Sequence, residues 1–351
     1  MGILNLVGWV IFCLLCGCAK LTYITTQSVE QIKLVSTGEK VEDVLKSKKV
    51  TAEHKEKIKK IEDYKKFFSD YFQADIGEIY KKVIFLSRES VSHLVISSSW
   101  EEIKPIKECF IFVGCFPYLG FFEKTDAIDY RNSMIKNGFS SHIRPVNAYS
   151  TLGNFNDRIL SSFFHYSDRE LAGLIFHELV HSVIFFKNGV NFNENLASFI
   201  SDKLVNIYFK DSIQEIGQAR RRENASKDIY AIISTVTSEI NKQLQQFPKI
   251  ERKNMTKLLI EEKFGEAFEK KLSQICLKYD LKKKFCTKFK KTWSPSELAA
   301  IGTYNELQHE ISAFYEANFS SLQGFYNYLK AQYVNGTHAD KIIETIKNGK
   351  K

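Results

Sequence analysis

Residues 167–189 read Ser-Asp-Arg-Glu-Leu-Ala-Gly-Leu-Ile-Phe-His-Glu-Leu-Val-His-Ser-Val-Ile-Phe-Phe-Lys-Asn-Gly, and this stretch decides how the rest of the chain is interpreted. Ser167 and Glu170 have the spacing of a capping box, in which the two side chains satisfy the first free amides of a helix. The apolar residues that follow predict a buried helix that ends near Gly189.

This predicted helix carries two histidines and a glutamate. His177 and His181 are four residues apart, so they lie on one helix face and their imidazoles can hold one metal ion. Glu178 is placed to take a proton from a metal-activated water and deliver it to a leaving amine. The alternative is two core histidines that hydrogen-bond to carbonyl groups.

A catalytic zinc site has three protein ligands and one water, and the best third ligand is Glu194. Asn193 is a good N-cap, so we expect Glu194 in the first turn of the next helix. The alternative is a glutamate favoured there by the helix dipole. Asp202, eight residues further along the same face, is a candidate to orient His177 or His181.

The N-terminus predicts export. Residues 3–16 are almost wholly apolar, a length that suits the core of a signal peptide over residues 1–17. The segment Leu-Cys-Gly-Cys-Ala at residues 15–19 resembles a bacterial lipobox, although no Lys or Arg precedes it. Cys18 would then be acylated and would anchor the protein to a membrane of the bacterial cell envelope. The outer membrane is favoured over the inner one, with the protein facing the periplasm or the cell surface. The alternatives are an uncleaved anchor and a plain secretory signal.

Four further cysteines fit an oxidising compartment. The simplest pairing joins Cys109 to Cys115, whereas Cys276 and Cys286 can meet only if the helix between them breaks or turns. Small buried hydrophobes are the alternative for all four.

Composition and patterning predict an α+β fold that is mainly helical. The 351 residues are 44% hydrophobic and 26% charged, and the net charge of +9 comes from lysines typical of solvated helix faces. Attraction to an anionic membrane surface is the alternative for this charge. No nucleic-acid motif accompanies this charge. We expect one domain over residues 18–351, with a β-containing part at 20–165 and a helical part at 166–351. Two helices within 27–75, strands at 109–116 and 139–150, and a helix at 125–137 are the more specific predictions.

Four blocks in order resemble the putative aminopeptidase family of bacterial lipoproteins. They are residues 113–122 (Val-Gly-Cys-Phe-Pro-Tyr-Leu-Gly-Phe-Phe), 148–155 (Ala-Tyr-Ser-Thr-Leu-Gly-Asn-Phe), 171–181 (Leu-Ala-Gly-Leu-Ile-Phe-His-Glu-Leu-Val-His) and 192–194 (Phe-Asn-Glu). The resemblance implies a zincin-like fold of the gluzincin type and a zinc metallopeptidase, more specifically an aminopeptidase. The interval between His181 and Glu194 is shorter than in the best-known gluzincins.

The resemblance also implies two substrate-contacting elements. The stretch Tyr149, Ser150, Thr151, Leu152 and Gly153 is similar to the gluzincin edge strand that pairs with an extended peptide, with an ordinary core strand as the alternative. Tyr304 matches a late tyrosine of the family that would hydrogen-bond the oxyanion, although the preceding Ser294-Pro295-Ser296 departs from the family pattern.

Together these features predict hydrolysis of a peptide substrate with one Zn²⁺, His177, His181 and Glu194 as ligands and Glu178 as the general base. The alternative is a lipid-anchored envelope scaffold or binding protein whose metal site is structural or inactive. No residue is identified that would hold a substrate amine, so cleavage at the N-terminus and cleavage within a chain both stay open. The sequence indicates no oligomeric state.

Overall fold

The computed structural model describes residues 23–30, 32, 36–88, 90–110, 114–146, 157–210, 216–305 and 307–349. The strands are β1 (Glu39–Lys40), β2 (Lys82–Ile84), β3 (Ser92–Ser98), β4 (Glu108–Phe110), β5 (Gly114–Phe116), β6 (Leu119–Phe121), β7 (Ser140–Val146) and β8 (Ile159–Leu160). The helices before residue 210 are α1 (Val41–Lys46), α2 (Ala52–Phe72), α3 (Lys124–Lys136), α4 (Asp168–Val183) and α5 (Val190–Tyr208). Those after it are α6 (Ile216–Leu244), α7 (Lys249–Lys263), α8 (Glu266–Lys278), α9 (Lys283–Thr287), α10 (Pro295–Asn305), α11 (Gln308–Asn318), α12 (Leu322–Val334) and α13 (Ala339–Asn348).

The described chain is mainly helical with small sheets, as the α+β prediction requires. All of its strands precede residue 161, and the helices after that point follow one another through short connections. In those described residues no helix is both long enough and apolar enough to cross a bilayer. The predicted signal peptide at 1–17 and Cys18 lie outside the described residues.

One antiparallel sheet has the order β6-β3-β7, with β3 in the centre. Helix α3 packs on this sheet, and Val95, Leu119, Phe121 and Ala127 form a small core between them. The predicted helix at 125–137 is therefore present as α3, followed by Gly138 at φ +88°. This left-handed backbone suits glycine and turns the chain into β7.

The prediction of a single strand over residues 109–116 is wrong. The segment contains β4 and β5, which pair antiparallel so that Cys109 lies opposite Cys115. A disulfide joins these two cysteines. One extended strand would hold their Cα atoms roughly 20 Å apart, so the disulfide requires the hairpin. Apolar and aromatic composition alone does not distinguish one strand from two.

The larger hydrophobic cluster, called the first core, lies between α2, α4, α5 and the C-terminal helices α11–α13. Helix α2 turns one apolar face inward, with Ile58, Ile61, Phe68 and Phe72 at helical spacing. The ring of Phe176 from α4 packs against this face, 6.4 Å from the ring of Phe68. The first core therefore fixes the helix that carries the histidines.

The second core is formed mainly by α6–α10. Helix α6 buries Ala225, Ile229, Ile233 and Ile240 along one side, against side chains of α7 and α8. A disulfide joins Cys276 of α8 to Cys286 of α9. The helix breaks between them, because α8 ends at Lys278 and Asp280 adopts φ +49°.

Candidate metal centre

Helix α4 begins as the sequence predicts. The Ser167 hydroxyl accepts from the Glu170 amide, and the Glu170 carboxylate accepts from the Ser167 amide at 3.0 Å, which completes the capping box. Asp168, in the first turn, is held by the ammonium groups of Lys57 at 2.9 Å and of Lys60, both from α2. These contacts set the axial position of α4 against the first core.

Helix α4 ends earlier than predicted, at Val183 and not near Gly189. The Val183 carbonyl accepts a hydrogen bond from Lys330 Nζ at 2.7 Å, and Ile184 is extended. The amide and carbonyl of Phe186 both bind the side chain of Asn193, at 2.9 Å and 2.7 Å. These partners replace helical hydrogen bonds, so the chain leaves α4 and returns along α5 after a short connection.

His177, His181 and Glu194 meet at one point between α4 and α5. The two Nε2 atoms are 3.1 Å apart, and the Glu194 carboxylate oxygens lie 3.3 Å from His177 Nε2 and 3.7 Å from His181 Nε2. A tetrahedral centre with metal–nitrogen bonds of about 2.0–2.1 Å holds its ligand atoms roughly 3.3 Å apart. The donor set and spacing thus fit a divalent metal ion.

The charges at this point support the same assignment. Burial acts to raise the pKa of Glu194, but hydrogen bonds from His177 and His181 outweigh it and hold that pKa well below its usual value. Burial acts to lower the pKa of His177, but the hydrogen bond to Glu194, its charge and the charges of Glu178 and Asp202 raise it overall. These shifts arise from carboxylates beside the imidazoles, and negative charge in this position attracts a cation.

Two buried asparagines hold Glu194 in place. Asn193 was predicted as the N-cap of the next helix, but α5 begins at Val190, and the Asn193 amide donates to the Gly189 carbonyl at 2.8 Å. Glu194 consequently lies in the second turn of α5, not the first. The Asn195 side chain accepts from the Leu307 amide at 3.2 Å, just before α11. Since one asparagine binds the α4–α5 connection and the other the start of α11, the backbone of Glu194 has little freedom.

Glu178 is a nearly buried carboxylate whose charge acts on the candidate ligand His177. The residue is 9% exposed, and within the described part of the chain its Oε2 atom has no hydrogen-bond partner. An unpaired buried carboxylate oxygen is costly unless it binds a proton, water or substrate. Tyr80 lies nearby, and burial together with the charges of Glu178 and Asp157 raises the pKa of its hydroxyl.

Asp202 lies two turns beyond Glu194 on α5. Its carboxylate binds Lys227 Nζ of α6 at 2.7 Å, and its charge acts on His177. Lys227 also contacts Glu223 at 3.3 Å, and Glu223 binds Arg169 of α4 at 2.8 Å. A continuous row of charges therefore links α4, α5 and α6 beside the candidate ligands, and the orienting role of Asp202 stays a prediction.

The remaining predicted residues are not brought to this point by the described structure. Tyr149, Ser150, Thr151, Leu152 and Gly153 lie outside the described residues. Tyr304 belongs to α10, but its side chain is not among those described. Asn195 and Tyr80 were not among the residues predicted from the sequence. For Asn195, the available signal was an amide side chain directly after the third ligand.

The sequence matches a known protein family. A family model described as "Putative aminopeptidase" matches residues 22–339. The comparison with curated proteins finds no match, and the comparison with solved structures finds none either. The family match spans most of the chain and contains His177, His181 and Glu194, the three side chains that can hold a metal ion. The chain therefore belongs to this aminopeptidase family.

Proposed function

We propose that this protein is a zinc-dependent peptidase, and more specifically an aminopeptidase. The observation that carries the proposal is the convergence of His177, His181 and Glu194, whose ligand atoms all lie within 4.8 Å of one another. Glu178 stands beside them with a buried oxygen free of partners among the described residues. A structural zinc site is usually closed by four protein ligands, whereas three ligands leave one position for water. Glu178 is not a member of the three-residue ligand group, so it is available as a base beside that position.

Each residue has a role in the proposed reaction. His177, His181 and Glu194 would hold a zinc ion, which when bound supplies a Lewis acid for the scissile carbonyl and lowers the pKa of water. Glu178 accepts a proton from the attacking water and passes it to the nitrogen of the departing amine. The apolar packing around α4 limits bulk water and strengthens the electrostatic interactions of these groups.

We further propose that Cys18 is acylated and that the protein acts at the bacterial cell envelope, on peptides outside the cytoplasm. The lipobox-like residues 15–19 and the two disulfides support this location. Mass spectrometry of the mature N-terminus tests it: a diacylglyceryl Cys18 supports the proposal, and an intact residue 1 contradicts it.

Metal analysis tests the proposed centre without any assumption about the substrate. Purified protein should contain one zinc per chain, and His177→Ala should lose it while keeping its helical circular dichroism. His165→Ala is the matched control, because His165 lies in the turn of 3₁₀-helix at Ser161–His165, outside the candidate ligand group. Folded wild-type protein that takes up no divalent metal would contradict the proposal.

A further inference from the structure

Seven basic residues gather on the second core, far in sequence from the candidate ligands. Three come from the start of α6 and four from the turn around α9, and all seven are exposed: Arg220, Arg221, Arg222, Lys282, Lys283, Lys284 and Lys288. We call these seven residues the basic turn patch.

The fold brings the two groups of the patch together. The Cys276–Cys286 disulfide, with Cα atoms 6.2 Å apart, fastens the lysine-bearing turn to the end of α8. Arg221 reaches Asp280 in that turn at 3.9 Å. Partial burial of its ammonium group lowers the pKa of Lys288, which is otherwise an exposed residue, and the adjacent charge of Arg222 lowers it further. The arginines of α6 therefore lie against the lysines of the turn.

The patch differs from the lysines around it in its lack of counter-charges. Neighbouring Lys278, Lys290 and Lys291 are each paired, with Asp228, Glu269 and Glu297. Among the described residues, the four lysines of the patch form no ion pair, and Asp280 is the acidic group bound within it, 91% exposed. Like charges held close together repel one another, and solvent and salt screen this repulsion only partly. Binding of an anionic partner would therefore reduce the electrostatic repulsion within the patch.

An exposed leucine lies at the same end of α8. Leu277 is 81% exposed and is the penultimate residue of α8, directly before the turn that leads to Lys282–Lys284. Its carbonyl accepts from the Asp280 amide at 3.1 Å, which keeps the turn wrapped around the helix end. An apolar side chain among basic ones is typical of segments that lie in a lipid headgroup layer.

Aromatic rings near the patch are covered, which argues against nucleic acid. The Lys288 ammonium lies 4.1 Å from the ring centroid of Phe285, and Phe289 is buried. The Tyr279 hydroxyl donates to Asp228 at 2.8 Å, so that ring is tied to α6. Single-stranded nucleic acids need free rings on which bases can stack.

We propose that the basic turn patch, together with Leu277, is a docking surface for an anionic lipid bilayer. The lysines and arginines lie at the headgroup level and attract the negative surface, while Leu277 enters the interfacial layer. This surface lies on the helices of the second core. It would therefore orient the folded protein on a membrane independently of Cys18. Membrane docking through this surface does not depend on the proposed peptidase activity.

Vesicle sedimentation with the full chain tests the proposal. One set of vesicles contains phosphatidylcholine alone, and the other contains equal parts of phosphatidylcholine and phosphatidylglycerol. Because any contribution of the apolar N-terminus appears in both sets, the ratio of the two partition constants isolates attraction to anionic lipid. The triple substitution Lys282→Gln, Lys283→Gln and Lys284→Gln is expected to lower this ratio about 100-fold at low salt, at roughly fivefold per lysine.

The control removes the same charge from another surface. Lys46, Lys48 and Lys49 are also three exposed lysines within a short segment, and Gln at all three should change the ratio by less than about fivefold. Leu277→Ser should weaken binding to both kinds of vesicle. Equal losses in the two triple variants, or a wild-type protein with no preference for anionic vesicles, would overturn the proposal. So would a wild type that binds single-stranded nucleic acid through Lys282–Lys284 but not vesicles.

Discussion

The two hydrophobic cores are built from different parts of the chain. The first core takes buried side chains from Val41 to Ile346, so its members are joined by contacts between distant segments. The second core takes nearly all of its members from residues 225–299, with Ile103 as an exception. The candidate metal centre belongs to the first core, and the disulfide-fastened turn belongs to the second. A site that needs exact ligand spacing thus depends on long-range hydrogen bonds, whereas the locally built core is held by neighbouring helices and a covalent link.

A few polar contacts join the second core to the sheet region. The Asn241 side chain accepts from the Ile103 amide at 2.8 Å and donates to the Ile103 carbonyl at 2.9 Å. The Thr256 hydroxyl donates to the Trp100 carbonyl at 2.6 Å. Changes in the second core away from Glu223 and Lys227, which bind α4 and α5, should therefore leave the metal centre largely intact. Changes to the contacts that hold α4 and α5 in the first core should not.

The largest expected effect comes from Asn193→Ala. This substitution leaves the buried amide and carbonyl of Phe186 without partners and should destabilise the protein by about 3 kcal/mol. It should also weaken metal binding, because the α4–α5 connection no longer fixes Glu194. Urea unfolding and metal titration measure the two effects. Asn191→Ala, at a half-buried position two residues earlier in α5, should change stability by less than about 0.5 kcal/mol. Equal effects of both substitutions would refute the role of the Asn193–Phe186 hydrogen bonds.

A smaller effect is expected from removing the Cys276–Cys286 disulfide. Cys276→Ser combined with Cys286→Ser removes the link that closes a short loop in the unfolded chain. The double substitution should lower the free energy of unfolding by about 2–3 kcal/mol. Thermal unfolding measures this loss. The metal content of the folded variant should match that of the wild type, because the disulfide lies outside the first core. Loss of metal together with the disulfide would show that the two cores are not separable in this way.

The smallest effect concerns Asp168, which is bound by Lys57 and Lys60. Burial raises the pKa of this carboxyl, but the hydrogen bonds from Lys60 and Lys57 lower it overall from the ordinary 3.8. Because the pKa of this carboxyl is lower in the folded chain than in the unfolded chain, its ionised form stabilises the fold at pH values above the unfolded pKa. This stabilisation is lost as the pH falls through the folded pKa. Asp168→Asn should therefore lower the free energy of unfolding by about 1 kcal/mol at neutral pH, and the difference from wild type should shrink as the pH falls below the ordinary value of 3.8.

Urea unfolding across this pH range checks the prediction. The control is Asp70→Asn, because Asp70 pairs with Lys66 at 2.5 Å on an exposed part of α2. An exposed pair within one helix contributes about 0.3–0.5 kcal/mol, so its removal should have the smaller effect. A constant difference between wild type and Asp168→Asn at all pH values would refute the role of the ion pairs.

The candidate centre was largely predictable from sequence because its chemistry is encoded locally. The spacing of His177 and His181 fixes them on one helix face, and Glu194 is an acidic residue one short connection away. The capping box at Ser167 also follows from local rules. These features depend on helix geometry, which a few neighbouring residues determine.

The errors occurred where a partner outside the same helical turn or strand decides the backbone conformation. Helix α4 ends at Val183 because Asn193 takes the backbone of Phe186, a contact that no local pattern reveals. The hairpin at 109–116 is closed by its disulfide, while its composition suited one strand equally well. The separation into two cores also depends on which helix faces meet, and periodicity within each helix does not specify that.

The proposed role of Glu178 as the proton carrier of a metal-dependent peptidase is tested by Glu178→Gln. A mixed peptide library digested by wild type and variant, read by mass spectrometry, measures the rate and shows whether cuts are N-terminal or internal. We expect the variant to keep its fold and its zinc but to lose activity by about 10²–10⁴-fold. A zinc-loaded wild type that cuts no peptide, or a Glu178→Gln variant that cuts at the wild-type rate, would contradict it.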